Sequence, residues 1–142
     1  MANLLSLIKL RKHSVDEKQK VLAQLYREAE ALQSKKDMLI ERLREERMAL
    51  NEKAPLEMFT YFGRYSQNVQ RVIERFNQEI SKIETRIQVA QDDVREAFAG
   101  MKRIEIVQAE REKEEKKIQA DKESNEMDEI GLDGYRRNQE ED

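Results

Sequence analysis

The sequence predicts an all-α protein: a long antiparallel two-helix coiled-coil hairpin with an overhanging C-terminal helix. Three observations carry that expectation. Of the 142 residues, 40% are charged and 38% hydrophobic, against about 25% charged in an average globular domain. So little apolar surface fills a narrow seam between helices, not a thick core. One proline and four glycines in the whole chain leave almost no punctuation for a sheet or for several short helices. Finally, apolar residues recur at alternating spacings of three and four along two stretches, the pattern that winds helices into a left-handed supercoil.

Helix one is expected over about residues 3–51. Its seam reads Leu4, Ile8, Arg11, Val15, Lys18, Leu22, Leu25, Ala29, Leu32, Lys36, Leu39, Leu43, Glu46 and Leu50, ten of the fourteen being apolar. The register holds for more than six heptads without a slip, which accidental amphipathicity seldom sustains. A turn follows at about 52–55, within Asn51-Glu52-Lys53-Ala54-Pro55. Pro55 has no N–H to give an incoming helix and restricts Ala54, yet its fixed φ suits the first turn of a new helix.

Helix two is expected over about 56–128. Its seam reads Phe59, Phe62, Ser66, Val69, Ile73, Phe76, Ile80, Ile83, Ile87, Ala90, Val94, Ala97, Met101 and Ile104, thirteen of fourteen apolar. The two seams match in length, roughly 70 Å at 1.5 Å per residue. Folding at the turn would set Leu50 against Phe59, and Leu4 against Ile104 or nearby. Two parallel chains could bury the same stripes only if each passed Pro55 unkinked, so a monomeric hairpin is expected.

Past Val107 the seam fails. Glu110 to Glu126 is nearly all charged or polar, and pairs such as Glu112 with Lys116 support a solvated helix by only about 0.2–0.5 kcal/mol each. This part of helix two should overhang and fray. Gly131 and Gly134 are expected to stop it, giving a single coiled-coil domain at 1–130 and a flexible acidic tail at 131–142.

Several function classes are excluded by what the chain contains. The absence of Cys removes disulfides and thiolate catalysis and suits a reducing cytoplasm. The lone His13 sits at an outward position beside Lys12, without a second ligand for a metal. Asp92-Asp93 and Glu45-Glu46 resemble acid-base pairs, but adjacent helical residues diverge by about 100° and a two-helix pair has no cleft to dry them. Neither Gly63 nor Gly100 lies in a phosphate-binding loop. No enzyme, cofactor, metal or direct small-molecule substrate is expected. The apolar start, Leu4 to Leu10, meets Arg11 and Lys12 too soon for a membrane span or a signal peptide. Residues 105–142 carry 7 basic and 14 acidic groups, which argues against nucleic acid, since phosphate binding needs a concentrated basic face.

Two regions offer surfaces for partners. At the open end, Leu5, Leu7 and Leu10 accompany the seam residues Leu4 and Ile8, while Ile104, Ile106 and Val107 face outward from helix two. A two-helix seam cannot bury all of them. They form an association surface, or else Leu5, Leu7 and Leu10 pack against the overhanging helix. Near the turn, Met58, Phe59, Tyr61, Phe62 and Tyr65 occupy more than one face. Phe59 and Phe62 read as core, and Tyr61 and Tyr65 either pack the hairpin end or anchor a partner. Gly100, beside Ala99 and Ala97, costs about 1 kcal/mol of helix propensity, so a close approach or local bend is expected there.

A two-helix chain of this length, running from Glu110-Arg111 through Glu123 and Asp128-Glu129-Ile130 to Arg136-Arg137, with an aromatic-rich start to helix two, resembles the FliJ family. That family is the general component of the flagellar type III export apparatus. The resemblance covers the whole chain. It implies a non-enzymatic stalk, like the coiled coil of the rotary ATP synthase gamma subunit, that enters and regulates the hexameric export ATPase. It also implies docking on the membrane-embedded export gate, handling of export chaperones, and a cytoplasmic location peripheral to the inner membrane. The ATPase would be met by the open end, at Leu5, Leu7, Leu10, Ile106 and Val107. For the gate, the family's spacing is similar to Tyr65, Val69, Val72 and Phe76, facing Ile40 and Leu43. Where the family often has aromatics at the end of helix one, this chain has Leu43, Arg47 and Leu50. A virulence-type secretion stalk and a purely structural coiled-coil spacer are the alternatives.

Overall fold

A computed structural model of the chain describes residues 3–141. Met1 and Ala2, expected at the head of the domain, and Asp142, expected in the tail, lie outside the described residues. The chain forms two long helices, α1 (Leu5–Ala49) and α2 (Leu56–Glu141), which pack against each other. Among the described residues there is no strand.

Local hydrogen bonds explain where the helices start. The Asn3 side-chain oxygen accepts the Leu5 N–H at 3.0 Å, satisfying one of the donors that a helix start leaves without an internal partner. The Leu4 carbonyl accepts the Ile8 N–H at 2.9 Å. At the reversal, Asn51 acts twice: its side chain accepts the Lys53 N–H at 3.0 Å, and its carbonyl accepts the Ala54 N–H, also at 3.0 Å. Pro55 stands immediately before α2, its carbonyl accepting the Met58 N–H, so its missing donor costs nothing there.

Chain contacts define two compact units, Met1–Lys12 with Phe98–Asp142 and His13–Ala97. In the second, Leu25, Ile83, Ile87 and Ala90 form the buried cluster, with Leu22, Ala29 and Leu32 packed against it. Tyr26 accepts a hydrogen bond from Gln91 at 2.7 Å, while Leu50 shares a groove with Phe62, so the helices run in opposite directions within this unit. In the first, Ile8 and Met101 are buried, and the Leu4 N–H donates to Gln108 at 3.1 Å.

The heptad register decides burial residue by residue. All ten apolar members of the first seam are buried or half-buried, whereas Arg11, Lys18 and Glu46 of the same seam are exposed. In the second seam every member is buried or half-buried except Phe59. Phe59 is 43% exposed, which corrects its reading as core. The cause is the reversal: α2 begins at Leu56, and its first turn precedes the residues that meet α1. Leu50 accordingly lies with Met58, Tyr61, Phe62 and Tyr65, and Leu4 meets Gln108, each about one turn further along α2 than equal seam lengths suggest.

A second correction concerns the end of α2. The helix continues through Gly131 and Gly134 to Glu141 instead of stopping near 128. A glycine ends a helix by adopting the left-handed conformation, and no described glycine has a positive φ. Side-chain bonds one turn apart, Gln119 to Glu123 at 3.2 Å and Gln139 to Tyr135 at 2.9 Å, act against the glycine penalty of about 1 kcal/mol apiece.

Gly100 has no steric need to be glycine. A Cβ built there would rest 3.6 Å from the Arg11 guanidinium, an ordinary contact, and one at Gly63 would meet nothing within 4 Å. Gly63→Ala and Gly100→Ala are each expected to raise unfolding free energy by about 0.5–1 kcal/mol, read as a higher urea midpoint at unchanged slope. A lower midpoint for Gly100→Ala would mean that the glycine permits a bend after all.

Candidate partner-binding surfaces

The first candidate surface lies in the unit that joins the start of α1 to the later part of α2. Ile8 and Met101 fill the seam there, which leaves Leu5, Leu7, Leu10, Ile106 and Val107 between 38 and 63% exposed. Residues 109–140 are themselves exposed throughout, so the continuation of α2 does not cover these leucines. At 100° per residue, Leu5 and Leu7 stand about 160° apart around α1, whereas Leu7 and Leu10 are only about 60° apart. The apolar side chains therefore occupy two opposing flanks of the helix instead of forming one flat patch.

The second candidate surface lies on the unit His13–Ala97 and consists of two open grooves. One, of about 220 Å³, is lined by Leu50, Met58, Tyr61, Phe62 and Tyr65, with Glu46 and Ala49 at its edge. The other, of about 310 Å³, is lined by Met38, Leu39, Val72 and Phe76 between Lys35 and Arg42. Tyr65 and Val72 are seven residues apart on α2, and Arg42 and Ala49 seven apart on α1. Two turns bring a side chain back to nearly the same face, so the grooves lie in line.

Of the residues expected to meet the gate, this surface unites Tyr65, Val72 and Phe76. Val69 is buried and Leu43 half-buried in the seam. Ile40 is 44% exposed but does not line the grooves, because it stands about 200° around α1 from Met38. Met38, 69% exposed, with Lys35 and Arg42, is what the sequence reading missed. The signal was available: once α1 and α2 run in opposite directions, the flank of α1 that carries residues 35, 38 and 42 is the one beside Val72.

Two charged pairs away from these surfaces are solvated. His13 lies 3.9 Å from Glu17, with its side chain 70% exposed, and Arg95 pairs with Asp92 at 3.3 Å. Such exposed pairs contribute at most about 0.5 kcal/mol. Among the described residues, no three His, Cys, Asp or Glu side chains are placed to hold a metal ion. Nor is any described helix long and apolar enough to cross a membrane.

A family model described as Flagellar FliJ protein matches residues 1–140. The chain belongs to the FliJ family. Family membership makes it a component of the flagellar export apparatus, and the FliJ family is one of structural export components. No curated protein and no solved structure matches the chain significantly. In this FliJ-family chain, the matched span includes both candidate surfaces and nearly all of α2.

Proposed function

We propose that this chain is a non-enzymatic coiled-coil stalk of the flagellar export apparatus, which binds and regulates the hexameric export ATPase and links it to the export gate and export chaperones. In this reading α1 and α2 form an antiparallel hairpin, acting as a monomer at the cytoplasmic face of the inner membrane. Residues 109–141 of α2, acidic on balance, overhang as a continuous helix.

The observation that supports the reading is the set of exposed apolar residues on opposing flanks at the start of α1 and near Ile106. A patch on one side suits a flat partner. Apolar residues on opposing flanks of a slender helical segment suit a partner that encloses it, as a ring lumen does. Differential contacts with the ring subunits would then shift their conformational populations, so a chain without chemistry of its own can change the rate of ATP hydrolysis. The surface of Tyr65, Val72 and Phe76 is the proposed gate contact. The direct experiment adds the purified chain to the ATPase ring: a rise in hydrolysis over the ring alone supports the stalk, and an unchanged rate favours a structural spacer.

A further inference from the structure

The two grooves on the unit His13–Ala97 differ in charge. The groove at Val72 is flanked by two cations, Lys35 and Arg42, with no acidic side chain in its lining. The groove at Tyr61 has one charged lining residue, Glu46. Along this line of two grooves the half at Val72 is positive, and Glu46, one turn beyond Arg42, is the acid of the half at Tyr61.

We propose that this track takes one amphipathic α-helix from a partner protein, seated as a third helix beside α1 and α2, with its acidic half over Lys35 and Arg42 and its basic half on the side of Glu46 and Tyr61. This deepens the proposed docking role of the same face and rests on it. Length fixes the size of the occupant. From Met58 to Phe76 the track spans eighteen residues of α2, about 27 Å, which an incoming helix of about five turns covers. Secondary structure fixes its type: both walls are helices and the described residues contain no strand, so there is no sheet edge for an extended peptide to join. The wall residues Met58, Tyr61, Tyr65 and Val72 recur at intervals of three, four and seven, the spacing at which a neighbouring helix places its own apolar side chains. Tyr61, 74% exposed, is the natural anchor, because a tyrosine offers large contact area at little cost in side-chain entropy. A basic residue of the occupant near Glu46 would also lie close to the Tyr61 and Tyr65 rings, where an Arg gains a cation–π contact.

The test uses the full chain and three fluorescently labelled synthetic peptides of eighteen residues with one leucine seam. One carries acidic residues in one half and basic residues in the other, one is acidic throughout, and one is the split peptide with a central proline. The split peptide should bind saturably, and the proline peptide at least tenfold more weakly. Tyr61→Ala should weaken the split peptide tenfold or more with unchanged helicity. The triple exchange Lys35→Glu, Arg42→Glu, Glu46→Arg leaves the track split but reverses its polarity, so a donor–quencher pair on chain and peptide should report the opposite peptide orientation. Equal affinity for the split and proline peptides, no binding, or an orientation unaffected by the exchange would each overturn the proposal. So would a wild-type dimer that becomes monomeric on Tyr61→Ala, since the occupant would then be a second copy. Binding of the gate protein's soluble part to the same chain, measured in parallel, separates the two readings: peptide binding without gate binding leaves the helix site standing and removes the gate role.

Discussion

Leu5→Asp and Ile106→Asp are each expected to return ATP hydrolysis by the export ring to the rate of the ring alone. Both residues are exposed in the free chain, at 48 and 57%, so an aspartate there stays hydrated and leaves the fold unstrained. In the complex the same carboxylate would be buried against an apolar wall without a partner, at a cost of about 3 kcal/mol or more. That corresponds to on the order of a hundredfold in affinity. Circular dichroism is the necessary control: helicity should be unchanged. Full stimulation by both variants would remove this end of the molecule from the proposed ATPase contact. Loss of helicity would instead make Leu5 or Ile106 structural, contrary to the exposure described above.

The opposite behaviour is expected at Leu25. It is 4% exposed and lies in the cluster with Ile83, Ile87 and Ala90, so Leu25→Ala removes buried methyl groups and leaves a gap between two helices. Such truncations cost 2–5 kcal/mol. The lower part, about 2–3 kcal/mol, applies here because a two-helix seam can close partly over the gap. The neighbouring Tyr26→Ala removes a side chain that is 46% exposed and makes one bond to Gln91, for a loss of about 1 kcal/mol or less. Urea unfolding of the two variants should differ by at least 1 kcal/mol. Equal losses would mean that the register assigned to the first seam is wrong.

Most of the helix-to-helix packing was legible because a two-helix seam needs only one kind of information. The three-four spacing places Leu22, Leu25 and Ala29 in the seam, where they are covered; Lys18 holds a seam position too and is exposed, because its charged end keeps to water. What the spacing omits is the offset between helices. That depends on how residues 50–55 reverse the chain, and it moved the partner of Leu50 from Phe59 to Phe62. The end of α2 was not legible, because a glycine stops a helix only where it adopts the left-handed conformation, and Gly131 does not. At the candidate surfaces, the exposed leucines were visible as a surplus over the seam. The groove of Met38 was not, since Met38 and Ile40 look alike in a linear pattern and differ only in which flank they occupy.

The uninterrupted exposure of residues 109–140 has a kinetic consequence. Each backbone amide there is held by its own helical turn, with no buried side chain to tie its opening to the rest of the molecule. Its hydrogen should exchange with solvent through small local openings, within seconds to minutes on the order of magnitude usual for solvated helices. Amides beside Leu25 and Ile87 should wait for cooperative unfolding. Deuterium uptake that is equally slow in both regions would reveal a hidden contact along the final third of α2.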